Sequence, residues 1–204
     1  MYLSKIELST MQPGVRAALQ DAQKMHRLVS GLYGVRRADA AVLYRVRTRG
    51  SAVSLYLYAN CPIDPEKLLS GMVLAGERDV TDWLSELAAE QVWNFDFLTM
   101  PSKKVAEPSG QNSRRRVLRT QKERIAWLSR KAEQNGFTVL EAQETPYEKL
   151  CAVHAAEQGG TLYMDAYRYS GMLLIRDAEM FRRAVKQGIG PGKAYGMGML
   201  LLKR

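Results

Sequence analysis

Two segments of the chain carry residues able to do chemistry, and they lie near its opposite ends. The first is Gln23-Lys24-Met25-His26-Arg27. An imidazole with an ordinary pKa of ~6.5 exchanges protons near neutrality, so His26 suits general acid or base work wherever substrate can reach it. The second segment is Gln187 to Gly198, twelve residues that hold five of the sixteen glycines together with Lys193. Glycine has no Cβ, so such a run can take positive φ and let a polyanion approach its amides, with Gly190, Gly192 and Lys193 as the contacts. A plain glycine-rich turn is the alternative. A nucleotide loop of the Walker type is excluded. That pattern needs glycine five residues before the Gly-Lys pair and Ser or Thr after it, where this chain has Gln187 and Ala194.

The start of its helix decides whether His26 is reachable. A helix unbroken from Val15 has the apolar stripe Val15, Leu19, Ala22, Val29 and Tyr33, with His26 buried at its centre. If Asp21 is instead an N-cap that restarts the helix, the stripe becomes Met25, Leu28, Val29 and Leu32, and His26 lies at its edge. Pro13-Gly14 leaves both open. The second histidine, His154, reads as a strand end or loop with no acid or cysteine at ligand spacing.

Around these segments the hydrophobic periodicity predicts an α+β chain. Met1 to Ser9 alternates as a strand, and a helical stretch runs to Tyr33-Gly34. The runs 41–47 and 52–58 flank Arg49-Gly50-Ser51 as a hairpin. A turn-rich, weakly helical region (62–74, then 82–89) precedes a strand over Val92 to Leu98. The order is βαββαβ, a ferredoxin-like unit over residues 1–100. The polar stretch 101–115 reads as a linker. Over 116–204 the pattern repeats: a short strand at 116–119, a helix at 121–134, a strand at 137–143, apolar runs at 150–153 and 162–175, a helix at 177–186 and a last strand at 197–202. Two tandem ferredoxin-like domains are expected.

With 204 residues, 46% of them hydrophobic, the chain can bury a core. Its net charge of +9 and pI near 9.6 suit an anionic partner, nucleic acid first. No apolar run reaches membrane-span length, and Met1-Tyr2-Leu3-Ser4-Lys5 reads as a strand rather than a signal peptide, so a soluble cytoplasmic protein is expected. Cys61 and Cys151 lie far apart without CxxC spacing, so neither a metal site nor a disulfide is expected. No cofactor is indicated. Basic residues concentrate at Lys103, Lys104, Arg114, Arg115, Arg116, Arg119 and Lys122, and continue through Arg124, Arg130 and Lys131, where Glu123 and Glu133 interleave and helix-surface ion pairs are the alternative. Six of them fall within the seventeen residues 103–119, opposed only by Glu107, a density suited to salt-dependent binding of a phosphate backbone. Tyrosines 56, 58, 163, 167 and 169 sit on β-rich runs, where they either stack bases or pack the strands.

Taken in order, several segments resemble the CasE endoribonucleases of type I-E CRISPR systems. They are the opening Met1-Tyr2-Leu3-Ser4-Lys5, Met25-His26-Arg27, Phe95-Asp96-Phe97-Leu98 with Pro101-Ser102-Lys103, Arg116-Val117-Leu118, Glu123-Arg124-Ile125-Ala126-Trp127-Leu128, and the loop Gly188 to Gly198. The resemblance implies two RRM-like domains and metal-independent cleavage of precursor CRISPR RNA at the base of the repeat stem-loop, with His26 catalytic. It further implies attack by the ribose 2′-hydroxyl, a 2′,3′-cyclic phosphate product, retention of the mature RNA and assembly with the other subunits of the Cascade surveillance complex. Lys24, Arg27 or Lys193 would offset phosphoryl charge. Two positions depart from the family pattern. Asp96 stands where a basic residue is common, and Gln23, one helical turn before His26, stands where the family places a tyrosine. An amide can orient a group but cannot exchange a proton, so the resemblance leaves water, Tyr33 or another residue as the partner of His26. A hairpin-binding module without turnover is the alternative from a different class.

Overall fold

The computed structural model describes residues 1–106, 113–146, 149–153 and 160–204. In chain order the strands and helices are β1 (Tyr2–Leu8), α1 (Pro13–Gln20), α2 (Ala22–Ser30), α3 (Arg37–Ala40), β2 (Leu43–Arg49), β3 (Ala52–Ala59), β4 (Met72–Asp79), α4 (Thr81–Ser85) and β5 (Val92–Thr99). There follow β6 (Ser102–Ala106), β7 (Ser113–Val117), α5 (Gln121–Glu133), β8 (Phe137–Pro146), β9 (Leu150–Val153), β10 (Thr161–Met164), β11 (Tyr167–Ile175), α6 (Ala178–Gln187) and β12 (Leu200–Lys203).

The alternation of β1 buries Ser4, Ile6 and Leu8 on one face, as its sequence predicts. β1 lies in the middle of a four-stranded antiparallel sheet of order β2-β3-β1-β4. Helices α1 and α2 supply Val15, Met25 and Val29 to a core with Ile6, Leu55 and Leu57. A second sheet has the order β12-β5-β11-β8, covered by α5 and α6 through Trp127, Leu128, Phe181 and Val185. Each sheet has the strand arrangement of a ferredoxin-like unit, so the two-unit α+β fold stands.

Three segments differ from the sequence expectations. The region read as turn-rich and weakly helical contains β4, an edge strand paired only to β1 and exposed along most of its length. Gly76-Glu77-Arg78-Asp79 hides it, because an edge facing water needs no apolar alternation. Between β3 and β4 its ferredoxin-like unit has only a 3-10 turn, Pro65–Lys67; the helical expectation over 82–89 is met by the short α4, Thr81–Ser85, which comes after β4 instead of before it. The strand 92–98 does not close the first sheet. As β5 it is central in the second sheet, between β11 and β12, so the change of sheet falls between Asp79 and Val92. The stretch 101–115 is not a plain linker either: β6 and β7 pair as an antiparallel ribbon, and Arg116 continues that ribbon rather than opening the second sheet. Residues 107–112 lie outside the described residues, as does His154.

The two units pack on each other. Leu43 and Tyr58 of the first belong to the core of the second. A smaller cluster of Leu98, Ala152, Met164, Ala166 and Met197 reaches Ala22 of α2 and Tyr195. Asp96 anchors a charged contact across the same junction. Its carboxylate meets the guanidinium of Arg45, 2% exposed, at 2.6 Å, and also meets Arg168 and Arg47. Burial opposes ionisation of Asp96, but Arg45, Arg168 and Arg47 outweigh it and hold the carboxyl below the usual carboxylate range.

Candidate active site

Asp21 fixes the start of the helix that carries His26. It takes an extended conformation between α1 and α2, and its carboxylate accepts hydrogen bonds from the backbone N–H of Gln23 at 2.9 Å and of Val153 at 3.2 Å. Burial acts against the charge on Asp21, and the backbone donors of Val153, Gln23 and Lys24 more than compensate, lowering its pKa. One carboxylate thus caps α2 and ties it to β9 of the second unit. With the helix restarted, Met25 and Val29 face the core and His26 sits half-buried at the edge of the stripe. Gln23 is also half-buried, while Lys24 and Arg27 are exposed.

Tyr33 does not share this face. The helix stops at Gly31, so the seven-residue spacing from His26 no longer implies proximity. Tyr33 is 5% exposed in the first core, and burial raises its pKa. A phenol there is packing, and its expected role as a partner of His26 is corrected accordingly.

The glycine-rich loop comes to α2 from the other end of the chain. Ile189 N–H donates to the Gly198 carbonyl at 2.9 Å, and Gly198 N–H donates to the Leu98 carbonyl at 2.8 Å, closing the loop onto β5. Gly192 and Gly196 are left-handed, at φ 84° and 79°, and bracket a 3-10 turn over Lys193–Tyr195. At Gly196 a Cβ would lie 2.9 Å from the ring of Tyr44 on β2, and the Tyr44 hydroxyl donates to the Ala194 carbonyl at 3.0 Å. The turn is therefore clamped to the first unit. It directs Tyr195 at α2, where the Tyr195 and His26 rings meet edge to face with centroids 6.4 Å apart. Lys193 is half-buried, and desolvation lowers its pKa. A cleft of about 390 Å³ opens beside these elements, lined in part by Ala22, Met25, Tyr44, Leu98 and Tyr195.

The basic residues gather at the other end of the same loop. Lys103 pairs across the ribbon with Arg116, and Lys104 with Arg115, all four exposed. Like charges directly opposite each other on paired strands are destabilising unless a counter-charge covers them, so this ribbon suits a polyanion. A second cleft, of about 430 Å³, is formed by Lys104, Arg115, Arg130 and Lys131 with Gly190 and Pro191 of the loop. Arg119 and Lys122 are exposed nearby in sequence, and Arg114 is placed by its backbone opposite Val105. Arg124 is turned inward instead, where it pairs with Glu144 at 2.6 Å and lies 4.0 Å from the Tyr167 ring centre. Among the tyrosines, Tyr58 and Tyr169 are buried and pack the sheets, whereas Tyr163 is exposed. The described residues contain no group of His, Cys, Asp and Glu able to hold a metal ion, and no helix among them is long and apolar enough to cross a membrane.

The sequence reading missed two features. Tyr195 stood inside the glycine motif without a role of its own, and its only signal was being the one aromatic residue in that run. Arg130 and Lys131 were read only as the continuation of the basic run, and nothing local shows that their helix brings them to the loop at Gly190 and Pro191.

A family model described as CRISPR-associated protein matches residues 1–204. The chain belongs to the CRISPR-associated protein family. The CasE resemblance drawn from its motifs stands within that family. The CRISPR-associated endoribonuclease Cse3 of Thermus thermophilus is 24% identical over 211 residues, covering 98% of each chain. A structure of CRISPR endoribonuclease Cse3 bound to 19 nt RNA superposes with a TM-score of 0.84 at 24% identity, over the whole of both chains. A chain of a CRISPR RNA-guided surveillance complex, captured before nicking, superposes with a TM-score of 0.73 at 22% identity, over 99% of each. These likenesses show the shared fold of the family.

Proposed function

We propose that this protein is an endoribonuclease of the cytoplasm that cuts precursor CRISPR RNA within its repeat, at the base of the stem-loop, retains the mature RNA and joins a surveillance complex of the Cascade type. The observation that carries the reading is the arrangement around the glycine loop. One end faces the half-buried His26, and the other faces a cluster of cations. An RNA held by its phosphates at the ribbon can thus extend over the loop to an imidazole. The related proteins support the same reading through what they are named for, an endoribonuclease, an RNA complex and an RNA-guided assembly.

The chemistry needs no metal. The 2′-oxygen loses its proton to a base and bonds to phosphorus, the P–O5′ bond breaks, and an acid returns a proton to the leaving 5′-oxygen. The products are a 2′,3′-cyclic phosphate and a 5′-hydroxyl. His26 serves one of these transfers, and Lys24, Arg27 and Lys193 are the cations available to offset charge on the phosphoryl oxygens. Gln23 can hold a substrate oxygen by hydrogen bond but moves no proton. That residue favours a second reading, a repeat-binding subunit with little turnover.

Incubating the purified chain with repeat RNA in EDTA separates the two. Cutting to a cyclic phosphate is expected, abolished in His26→Ala and blocked by deoxyribose at the cut site, with binding kept in both cases. A gel shift without cutting favours the binding subunit, and full cleavage by His26→Ala removes the catalytic assignment.

A further inference from the structure

The geometry points to Tyr195 as a positioning residue for His26, acting through its ring. This deepens the proposed reaction and rests on it. His26 sits at the edge of α2's apolar stripe, with exposed Lys24 and Arg27 near it on the same helix. Proton transfer needs the imidazole nitrogen held in line with a ribose or phosphate oxygen, and small errors of placement are costly. A side chain at such an edge needs a wall supplied from elsewhere in the fold. Tyr195 is in that place, with ring centroids 6.4 Å apart and planes at 68°, within the range of edge-to-face aromatic contacts.

The wall is rigid. Tyr195 N–H donates to the Gly192 carbonyl at 2.8 Å, closing the 3-10 turn. Gly192 and Gly196 allow the backbone on both sides a left-handed conformation that side chains with a Cβ rarely adopt, and the hydrogen bonds around the turn hold it there. The Tyr44 hydroxyl holds the preceding carbonyl, and Leu98 holds Gly198. The turn itself does not call for an aromatic residue, since the glycines bend the chain. Tyr195 also lines the cleft beside α2. A loop that shapes an RNA-contacting surface at one end therefore orients the histidine at the other.

Two variants test this in the full chain, Tyr195→Leu and Tyr195→Phe. Leucine keeps an apolar side chain and removes the ring, whereas phenylalanine keeps the ring and removes the hydroxyl. Single-turnover cleavage of repeat RNA is expected to slow in Y195L by on the order of ten- to a hundredfold, with RNA affinity unchanged, and Y195F is expected to restore it. The chain has only two histidines, so the His26 ring signals can be followed by proton NMR with His154 as internal reference. Loss of the neighbouring aromatic ring should move the His26 signals in Y195L and leave them near their original positions in Y195F. Unmoved His26 signals in Y195L overturn the inference, as does full cleavage by Y195L. A rate in Y195F as low as in Y195L also overturns it, because the hydroxyl rather than the ring would then be the active part. If the wild-type chain does not cleave, the proposed reaction fails, and the NMR comparison still decides whether Tyr195 orients His26.

Discussion

Asp96→Asn removes the charge at the centre of the junction between the two units while keeping the size of the side chain. The magnitude follows from who loses a partner. Arg168 and Arg47 are more than a third exposed, so water screens their pairs and each contributes no more than about 1 kcal/mol. Arg45 is 2% exposed and meets Asp96 at 2.6 Å, so its guanidinium keeps its charge with its strongest counter-ion gone. Breaking such a buried pair from one side costs about 3–5 kcal/mol, and the lower end applies here because Arg45 has further contacts. Urea unfolding at pH 7 should therefore show D96N less stable by about 3 kcal/mol. The Asp96 carboxyl has a native pKa below its unfolded value of ~3.9, so its stabilisation is complete above that value and is lost as pH falls through the native pKa. The gap between wild type and D96N should stay constant from pH 7 to about 5 and narrow below about 4. Cleavage should fall with stability, since His26 and Tyr195 belong to different units. The double variant Arg45→Leu with Asp96→Leu should recover much of the loss, because it leaves no buried charge behind. A loss under about 1 kcal/mol in D96N, or a gap that ignores pH between 7 and 3, would refute the assignment of this contact as the clamp between the units.

Asp21→Ala removes the cap of α2 and its bond to Val153. It should cost about 0.5–2 kcal/mol in thermal or urea unfolding and slow cleavage beyond what the lost stability explains, measured as the single-turnover rate at saturating protein. Replacing Lys104 and Arg115 together by alanine should weaken repeat RNA binding and flatten the plot of log affinity against log salt by about 1–2, with unfolding unchanged, as read by filter binding across a salt series.

How much of the site was legible depended on how far away its determinants lie. Asp21 is a good N-cap type and caps α2 through the nearby Gln23 N–H, but its second bond, from Val153 132 residues away, is one that no local pattern contains. β5 alternates identically whichever sheet it joins, and pairing with β11 and β12 decides its membership. Tyr33 fits a helical stripe on paper, yet Gly31 ends the helix before that stripe reaches it. The basic run was visible as charge, while its folding into a ribbon with like charges paired across it was not.

By itself the sequence determined the elements that depend on near neighbours: the alternation of β1, the hairpin at Gly50, the helix from Gln121, the glycine loop and the family to which its ordered motifs belong. Local backbone preference and side-chain period suffice for those. Only the tertiary structure decided what stands beside His26. The phenol seven residues away is packed into a core, and the one from residue 195 meets the imidazole, because the clamped loop and the docked units, not spacing along the chain, bring those rings together.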